Sequence, residues 1–464
     1  MGVRADRGLG PRSEGIAELL PPVVELSGRE GQGAAMTETL EGAATVSRGV
    51  AHLGGPEQLL SDEQVAAFIH EQLSAADLDG RSVCLVIPDG TRSCPLPLLL
   101  RAVHGALAGR VSRLTALVAL GTHAAMDEQR LGAHLGFPVD GLAAAYPGLS
   151  VVNHEWWDPE TFVSLGSISA GRIGELSGGR LRVGVDVRLN RAIVEHDVAL
   201  VVGPVFPHEV VGFSGGNKYF FPGVSGQEVI DLSHWLGALI TSADIIGTRG
   251  ITPVRALINE AASMIPSHKL AICVVVGPGG DRLHSVSFGD PEESWAAAAD
   301  VSAETHVRYL GAPVHRVLSV IPTRYEDIWT AAKGFYKLEP VMADGGEVIL
   351  YAPHVTQIAP MHPEINEIGY HCRDYFVKQW DRFKDVHWGV LAHSTHLRGA
   401  GTYDEELGER CRLTVTLATG IPEDVVRAAN LSYRDPATVD LAAFEADPGT
   451  FVVPQAGEVL FRLR

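Results

Sequence analysis

Several short polar segments each follow an apolar run, and their residue types suit proton transfer, anion binding and metal ligation. Asp89-Gly90-Thr91-Arg92 follows the run Ser82–Pro88, Gly121-Thr122-His123 follows Leu114–Leu120, and His208 through Lys218 follows Val198–Pro204. A polar turn after Val314–Ile321 leads to Lys333-Gly334. Together they supply a carboxylate (Asp89), a guanidinium (Arg92), two imidazoles (His123, His208) and two amines (Lys218, Lys333). Imidazole exchanges protons near neutral pH, whereas Arg offers a carboxylate a planar fork and Lys a point charge. Taken singly, each has a plainer reading. A strand-end Asp caps a helix more often than it catalyses, and a lone His is more often a satisfied structural group. Four strand ends that all carry ionisable groups favour a site.

The glycine-rich turn Ser214-Gly215-Gly216 offers consecutive backbone N–H groups to an anion such as phosphate. It is not a Walker A loop, because Asn217 separates the glycine from Lys218 and Tyr219 follows the lysine, and it is not GxGxxG. His208-Glu209 does not begin HExxH, since position 212 is Gly212. His234, in the helical-looking Gln227–Leu239, is either an interior residue or a ligand facing whatever Lys218 reaches. Later in the chain come His354, His362, His371, His387, His393 and His396. The spacing of His393 and His396 places them on one helix face, where paired metal ligands also sit. The patch His154-Glu155-Trp156-Trp157-Asp158 reads as surface loop and packing.

The elements that must position these groups read as α/β. Short β-branched runs bounded by Gly and Pro alternate with helical stretches; the clearest further ones are Leu270–Gly277 and Glu347–Ala352. Strands of this kind belong to mostly parallel sheets covered by helices, with ligands beyond their carboxyl ends. The reading is two α/β domains, 49–265 and 266–464, with the active site in the cleft between them. Residues 1–48 read as a disordered tail, and Met36 is an alternative start. The 464 residues include 19 histidines, and the formal net charge is −19. That charge argues against general nucleic-acid binding. No apolar run is long enough for a bilayer span. Five scattered cysteines without a CxxC pair argue against a disulfide framework or zinc ribbon and for a reduced, cytoplasmic setting.

The motifs resemble the nickel-pincer-nucleotide-dependent lactate racemase family from about residue 55 to at least 355. The matching residues are Asp-x-Thr-Arg at Asp89–Arg92, Gly-Thr-His at Gly121–His123, and His-x5-Ser-Gly-Gly-x-Lys-x3-Pro-Gly from His208 to Gly223. His234 follows Lys218 at the family spacing, and Lys333-Gly334 supplies the Lys-Gly pair. The resemblance implies that Lys218 holds a pyridinium-3,5-dithio mononucleotide covalently and that His234 ligates its nickel. Thr91, Ser214, Gly215 and Gly216 would lie near the nucleotide phosphate. His123 and His208 would be the acid–base pair, Arg92 and Lys333 would hold the carboxylate of a small 2-hydroxy acid, and Asp89 would orient the cluster. Separate maturation proteins would supply the cofactor. Where lactate racemases carry a glutamine three residues before the Lys-Gly lysine, this chain has Thr330 in the expected substrate pocket. That shorter side chain points away from lactate and towards a larger or more polar acid. The long His123–His208 interval implies an inserted loop around Trp156–Gly179. The competing readings are a binding protein without turnover or nickel, and a zinc hydrolase built on the late histidines.

Overall fold

The computed structural model describes residues 49–277 and 280–464; the expected tail and alternative start lie outside them. The first sheet has seven strands: β1 (Ala51–Gly54), β2 (Ser82–Pro88), β3 (Arg113–Ala119), β4 (Leu149–Asn153), β5 (Val198–Pro204), β6 (His268–Val276) and β7 (Leu283–Gly289). Their order is β1-β7-β6-β5-β2-β3-β4. From β6 to β4 the pairings are parallel, while β7 and β1 close the edge antiparallel. The second sheet is entirely parallel and contains β8 (Val314–Val320), β9 (Met342–Ala352), β10 (Thr414–Thr419), β11 (Ser432–Tyr433) and β12 (Phe451–Val453). Its order is β11-β10-β9-β8-β12.

The central strands are continuous apolar runs because both sheet faces are covered. On one face of the first sheet, Val83, Leu85 and Ile87 pack with α1 (Asp62–Ala75) and α2 (Leu96–Leu107). A capping box at Ser61 and Gln64 fixes the start of α1. On the other face, Cys84, Val86, Ala199 and Val201 share a core with α3 (Gln227–Ile240), α4 (Pro253–Ser263) and α5 (Pro291–His306). That same core continues through α6 (Trp388–Arg398) to Val317, Val348 and Leu350 of the second sheet.

The division expected at residue 265 therefore does not follow the sheets. β6 pairs parallel with β5 from His268↔Val198 onward, and β7 then pairs with β6, so the first sheet runs on to Gly289. Periodicity identifies a buried parallel strand without saying which sheet it joins.

In the first sheet the chain proceeds from β2 outward to β3 and β4, then returns to place β5 on the opposite side of β2. The carboxyl ends of β2 and β5 thus flank a topological switch point, where open α/β sheets bind ligands.

Candidate active site

A cavity of about 300 Å³ opens at this switch point and is lined from both sheets. Asp89, Thr91, Arg92, His123, His208, Ser214, Gly215, Lys218, His234 and Lys333 all line it. Gly216 and Thr330, expected at the site, do not contribute to its lining.

The loop after β2 is organised by Asp89. One carboxylate oxygen accepts from the Thr91 amide (3.1 Å) and hydroxyl (2.8 Å), and the other meets His123 Nδ1 at 2.5 Å. Burial alone would raise the Asp89 carboxyl. The His123 ring, its hydrogen bond, the Thr91 hydroxyl and the Lys333 ammonium outweigh it and hold the carboxyl well below its usual range. Asp89 thus accepts Nδ1–H from His123 and leaves Nε2 with a lone pair. Arg92 makes no hydrogen bond or close ion pair among the described residues, so its fork faces the cavity without a protein partner. Burial disfavours its charge, but Tyr336, Glu209 and Tyr325 more than compensate and raise its pKa.

Beyond β5 the chain makes a short hairpin, Pro207–His208 against Gly212–Phe213. Gly212 turns it at φ +92°, where an added Cβ would lie 2.6 Å from Thr248 O. His208 is 4% exposed. Its Nδ1 accepts from the Val210 amide at 3.1 Å and lies 3.3 Å from Glu209 Oε2. Burial, then the charges of Lys218 and Arg92, press its pKa well below the usual imidazole value. Ser214 Oγ accepts from Phe206 N (2.9 Å) and Ser214 N donates to Phe206 O (2.8 Å), closing the hairpin. The Ser214 hydroxyl is thus engaged with the backbone.

Gly216 is a correction. Its amide donates towards Cys273, and a Cβ there would lie 2.8 Å from both Pro291 O and Trp295 Cβ. The residue is glycine so that the turn can press against α5, not to face a ligand. Arg255 of α4, fully buried, clamps the same turn by donating to Phe213 O (2.7 Å) and Gly215 O (3.1 Å). It stacks 3.8 Å from the Trp295 ring and pairs with Glu292.

Lys218 follows in the short helix Gly216–Tyr219. Burial, reinforced by Arg92, Arg255 and Lys333, brings its amine down to about 7 despite Glu209. His234 of α3 donates Nδ1–H to Ile230 O at 2.7 Å, which leaves Nε2 as a lone-pair donor. That is how a ligating histidine is normally oriented. α3 is held to α6 by Asp231, which accepts from Gly389 N at 2.9 Å and meets His387 Nδ1 at 3.1 Å.

The second sheet contributes Lys333, 5% exposed, with Nζ 3.4 Å from Thr330 O. Burial, then Arg92, brings its amine down to about 8. Thr330 is the second correction. Its hydroxyl donates to Asp327 Oδ1 at 2.6 Å and its amide to the same oxygen at 2.9 Å. It belongs to a helix cap, where local backbone bonding outcompetes reach into the cavity. The neighbouring Trp329 faces the cavity instead. Its ring stacks between His362 and His393, both 3.9 Å away, and Trp156 stacks on the far side of His362.

Sequence reasoning missed several contributors. Trp156 is not mere surface packing, since it lines the cavity and donates to His123 O at 2.9 Å. Glu209 faces the cavity beside Arg92 and accepts from the Tyr336 hydroxyl. Lys337 ties the sheets together by donating to Pro207 O and Glu458 O, both at 2.9 Å. The signal in Glu209 was its position beside His208; the others come from distant parts of the chain. The late histidines do not form a metal site. His393 Nε2 bonds Trp329 O and His396 Nδ1 bonds Ser242 Oγ. Among the described residues, the group that brings three potential ligands together is Cys372, Glu409 and Cys411.

Comparison with known proteins bears on the same segments. The lactate racemase N-terminal domain model matches residues 63–245. The lactate racemase of Lactiplantibacillus plantarum is 26% identical over 277 residues, 58% of this chain and 60% of that protein. That of Thermoanaerobacterium thermosaccharolyticum is 26% identical over 279 residues, 59% and 60% respectively. The chain thus spans about 60% of the length of the curated relatives it matches. A solved Thermotoga maritima protein is 32% identical, with a TM-score of 0.80 over 89% of this chain and 100% of that one. The lactate racemase apoprotein of T. thermosaccharolyticum, at 18% identity, shares the fold, with a TM-score of 0.64 over 87% and 93%. Residues 63–245 are thus similar to a lactate racemase N-terminal domain, and most of the chain shares the α/β fold of the lactate racemase apoprotein.

Proposed function

We propose that the protein is a racemase or epimerase that inverts the C2 centre of a 2-hydroxy acid, with a nickel-pincer nucleotide carried on Lys218. The observation that carries this reading is one cavity holding two imidazoles on separate loops beside a guanidinium that has no protein hydrogen-bond partner among the described residues. The donor set fits the cofactor. Lys218 offers an amine brought to about 7 at the cavity wall, and His234 presents Nε2 with Nδ1 already anchored. When bound, the group supplies a reversible hydride acceptor next to the metal.

The chain's own residues supply the rest. Arg92 takes the substrate carboxylate through its fork, and Lys333 adds a point charge. His123 accepts the hydroxyl proton at Nε2 while Asp89 holds its Nδ1–H, and the resulting imidazolium is balanced by that carboxylate. His208 serves the opposite hand of the substrate, with Glu209 placed to receive its Nδ1–H in the charged ring. Burial of His208 and Lys333 keeps water from competing for the same protons. The Trp156–His362–Trp329–His393 stack supports a substrate larger than lactate, because it gives one cavity wall a broad aromatic face. Thr330 no longer argues for that choice, since its hydroxyl is engaged in the cap. Maturation proteins would install the cofactor.

The test is coexpression with cofactor-making enzymes. The expected result is a mass adduct mapped to Lys218, bound nickel, and inversion of at least one acid in a panel of chiral 2-hydroxy acids. A folded protein with no adduct under those conditions overturns the reading. A protein with adduct but without turnover supports a binding role instead.

A further inference from the structure

Away from the cavity, two cysteines meet where a short helix and a hairpin touch. Cys372 immediately precedes the helix Arg373–Lys378, and Cys411 ends the strand Gly408–Cys411, which pairs antiparallel with Gly401–Asp404. Cys372 is fully buried, whereas Cys411 is partly exposed. Their sulfurs lie within 4.8 Å, and the Cys372 thiol donates towards Cys411. Gly401, directly opposite Cys411, makes this approach possible. A Cβ at that position would lie 2.9 Å from Cys372 Cβ and 3.1 Å from Cys411 Cα. Those two atoms are therefore no more than about 6 Å apart, so the two side chains share one small space and their sulfurs are neighbours.

The surroundings distinguish the two sulfurs. Arg398 Nε donates to Cys411 Sγ at 3.0 Å, placing a cation on the sulfur nearer solvent. The hydrogen bond from Cys372, then Arg398, lowers the Cys411 thiol, while the same contact and burial raise Cys372. Glu409 stands beside them, but N–H groups already occupy both of its oxygens. Cys372 N reaches Oε1 at 2.6 Å, and His371 Nδ1 and Asn430 Nδ2 reach Oε2 at 2.9 and 3.0 Å. Those donors, and the Arg398 cation on the sulfur, favour thiol chemistry over cation binding.

We propose that Cys411 and Cys372 form a peroxide-reactive dithiol, with Cys411 the attacking thiolate and Cys372 the resolving thiol. The Cys411 sulfur attacks the O–O bond of hydrogen peroxide; a S–OH forms and hydroxide leaves, to be protonated to water. The Cys372 sulfur then attacks that sulfenic sulfur as its proton departs with the hydroxyl as a second water, and the S–S bond forms. Two thiols are oxidised by one peroxide, and no other reactant is needed. Arg398 is the last residue of α6, the helix whose His393 and His396 line the cavity, so the pair is bonded directly to that helix.

The test uses the purified full chain, independently of cofactor loading. Equimolar peroxide should remove the mass of two hydrogens and link the Cys372 and Cys411 peptides, leaving Cys84, Cys94 and Cys273 open to alkylation after denaturation. In Cys372→Ser, dimedone should trap a sulfenic acid on Cys411, and in Arg398→Gln the oxidation rate should fall about tenfold. Free thiols at both positions after peroxide has consumed a glutathione control would overturn the proposal. So would a link between other cysteines, or stoichiometric zinc that protects both sulfurs.

Discussion

His123 and His208 reach one cavity from loops of one sheet, yet the protein surrounds them differently. His123 is partly open, and Asp89, an obligate acceptor when charged, meets its Nδ1. His208 is nearly enclosed, and a backbone amide, an obligate donor, meets its Nδ1. The two neutral rings therefore rest as opposite tautomers: His123 turns a lone pair outward and His208 an N–H. Glu209, 3.3 Å from the same His208 nitrogen, becomes its partner once that nitrogen carries a proton. Two residues of one type thus sit in opposite hydrogen-bonding settings, and His208 can give up its outward proton only once its Nδ1 is protonated as well. The surrounding charges hold His208 neutral, and Asp89 holds His123 in place.

The strongest way to break this comparison is to remove either ring. His123→Asn and His208→Asn should each lower turnover of the loaded protein by about 10²- to 10⁴-fold, the usual range for a positioned acid–base group. Both should keep the Lys218 adduct, measured by intact mass. A variant that retains wild-type turnover removes that ring from the chemistry. Next in size is Arg92→Lys, which trades a bidentate fork for a point charge. It should cost about 1.5–3 kcal/mol in kcat/KM, expressed mainly as a raised KM. An unchanged KM would place the substrate carboxylate elsewhere.

Glu209→Gln sharpens the comparison directly. It keeps shape and removes the charge that would receive Nδ1–H, so turnover should fall about tenfold, as for loss of one charge-assisted hydrogen bond. Because the overall equilibrium is untouched, kcat/KM must fall by the same factor from either substrate hand. Asp89→Asn should be worse than Glu209→Gln, since it disturbs both the His123 tautomer and the Thr91 turn. The reverse order would contradict the assignment of partners.

The smallest effect concerns stability. Burial lowers His154, His362 and His396 to about 4, and His306 and His393 to about 3. Each folded value lies below the ordinary 6.5, so the folded chain binds fewer protons than the unfolded one at mildly acid pH. Stability should be at its plateau above about pH 6.5 and decline as pH falls towards 4 and below. Denaturant midpoints measured across that range report it, and a flat profile would mean these rings protonate without unfolding the protein.

The sequence made part of this legible and hid the rest for a physical reason. Strands β2 and β5 fall on the residues read as apolar runs, and Asp89, His123, His208, Lys218 and His234 come from compact local patterns whose loops must converge at a switch point. Gly216 and Thr330 were misplaced because local motifs do not say which way a residue faces. One backs onto α5 and the other turns to cap a helix. Arg255, Trp329 and Lys337 act across long stretches of chain, so their roles exist only once the two sheets share a core. The boundary near 265 failed for the same reason, since β6 and β7 choose their sheet through tertiary pairing.

The most direct test of the central claim follows the hydrogen on the inverted carbon. The loaded protein would be given one enantiomer of a turned-over acid, deuterated at C2, in ordinary water. The account predicts that the inverted product keeps its C2 deuterium through early turnover, while only the hydroxyl proton passes through His123 and His208. Rapid loss of that deuterium to solvent would mean that the two histidines abstract the carbon-bound proton themselves, and would contradict it.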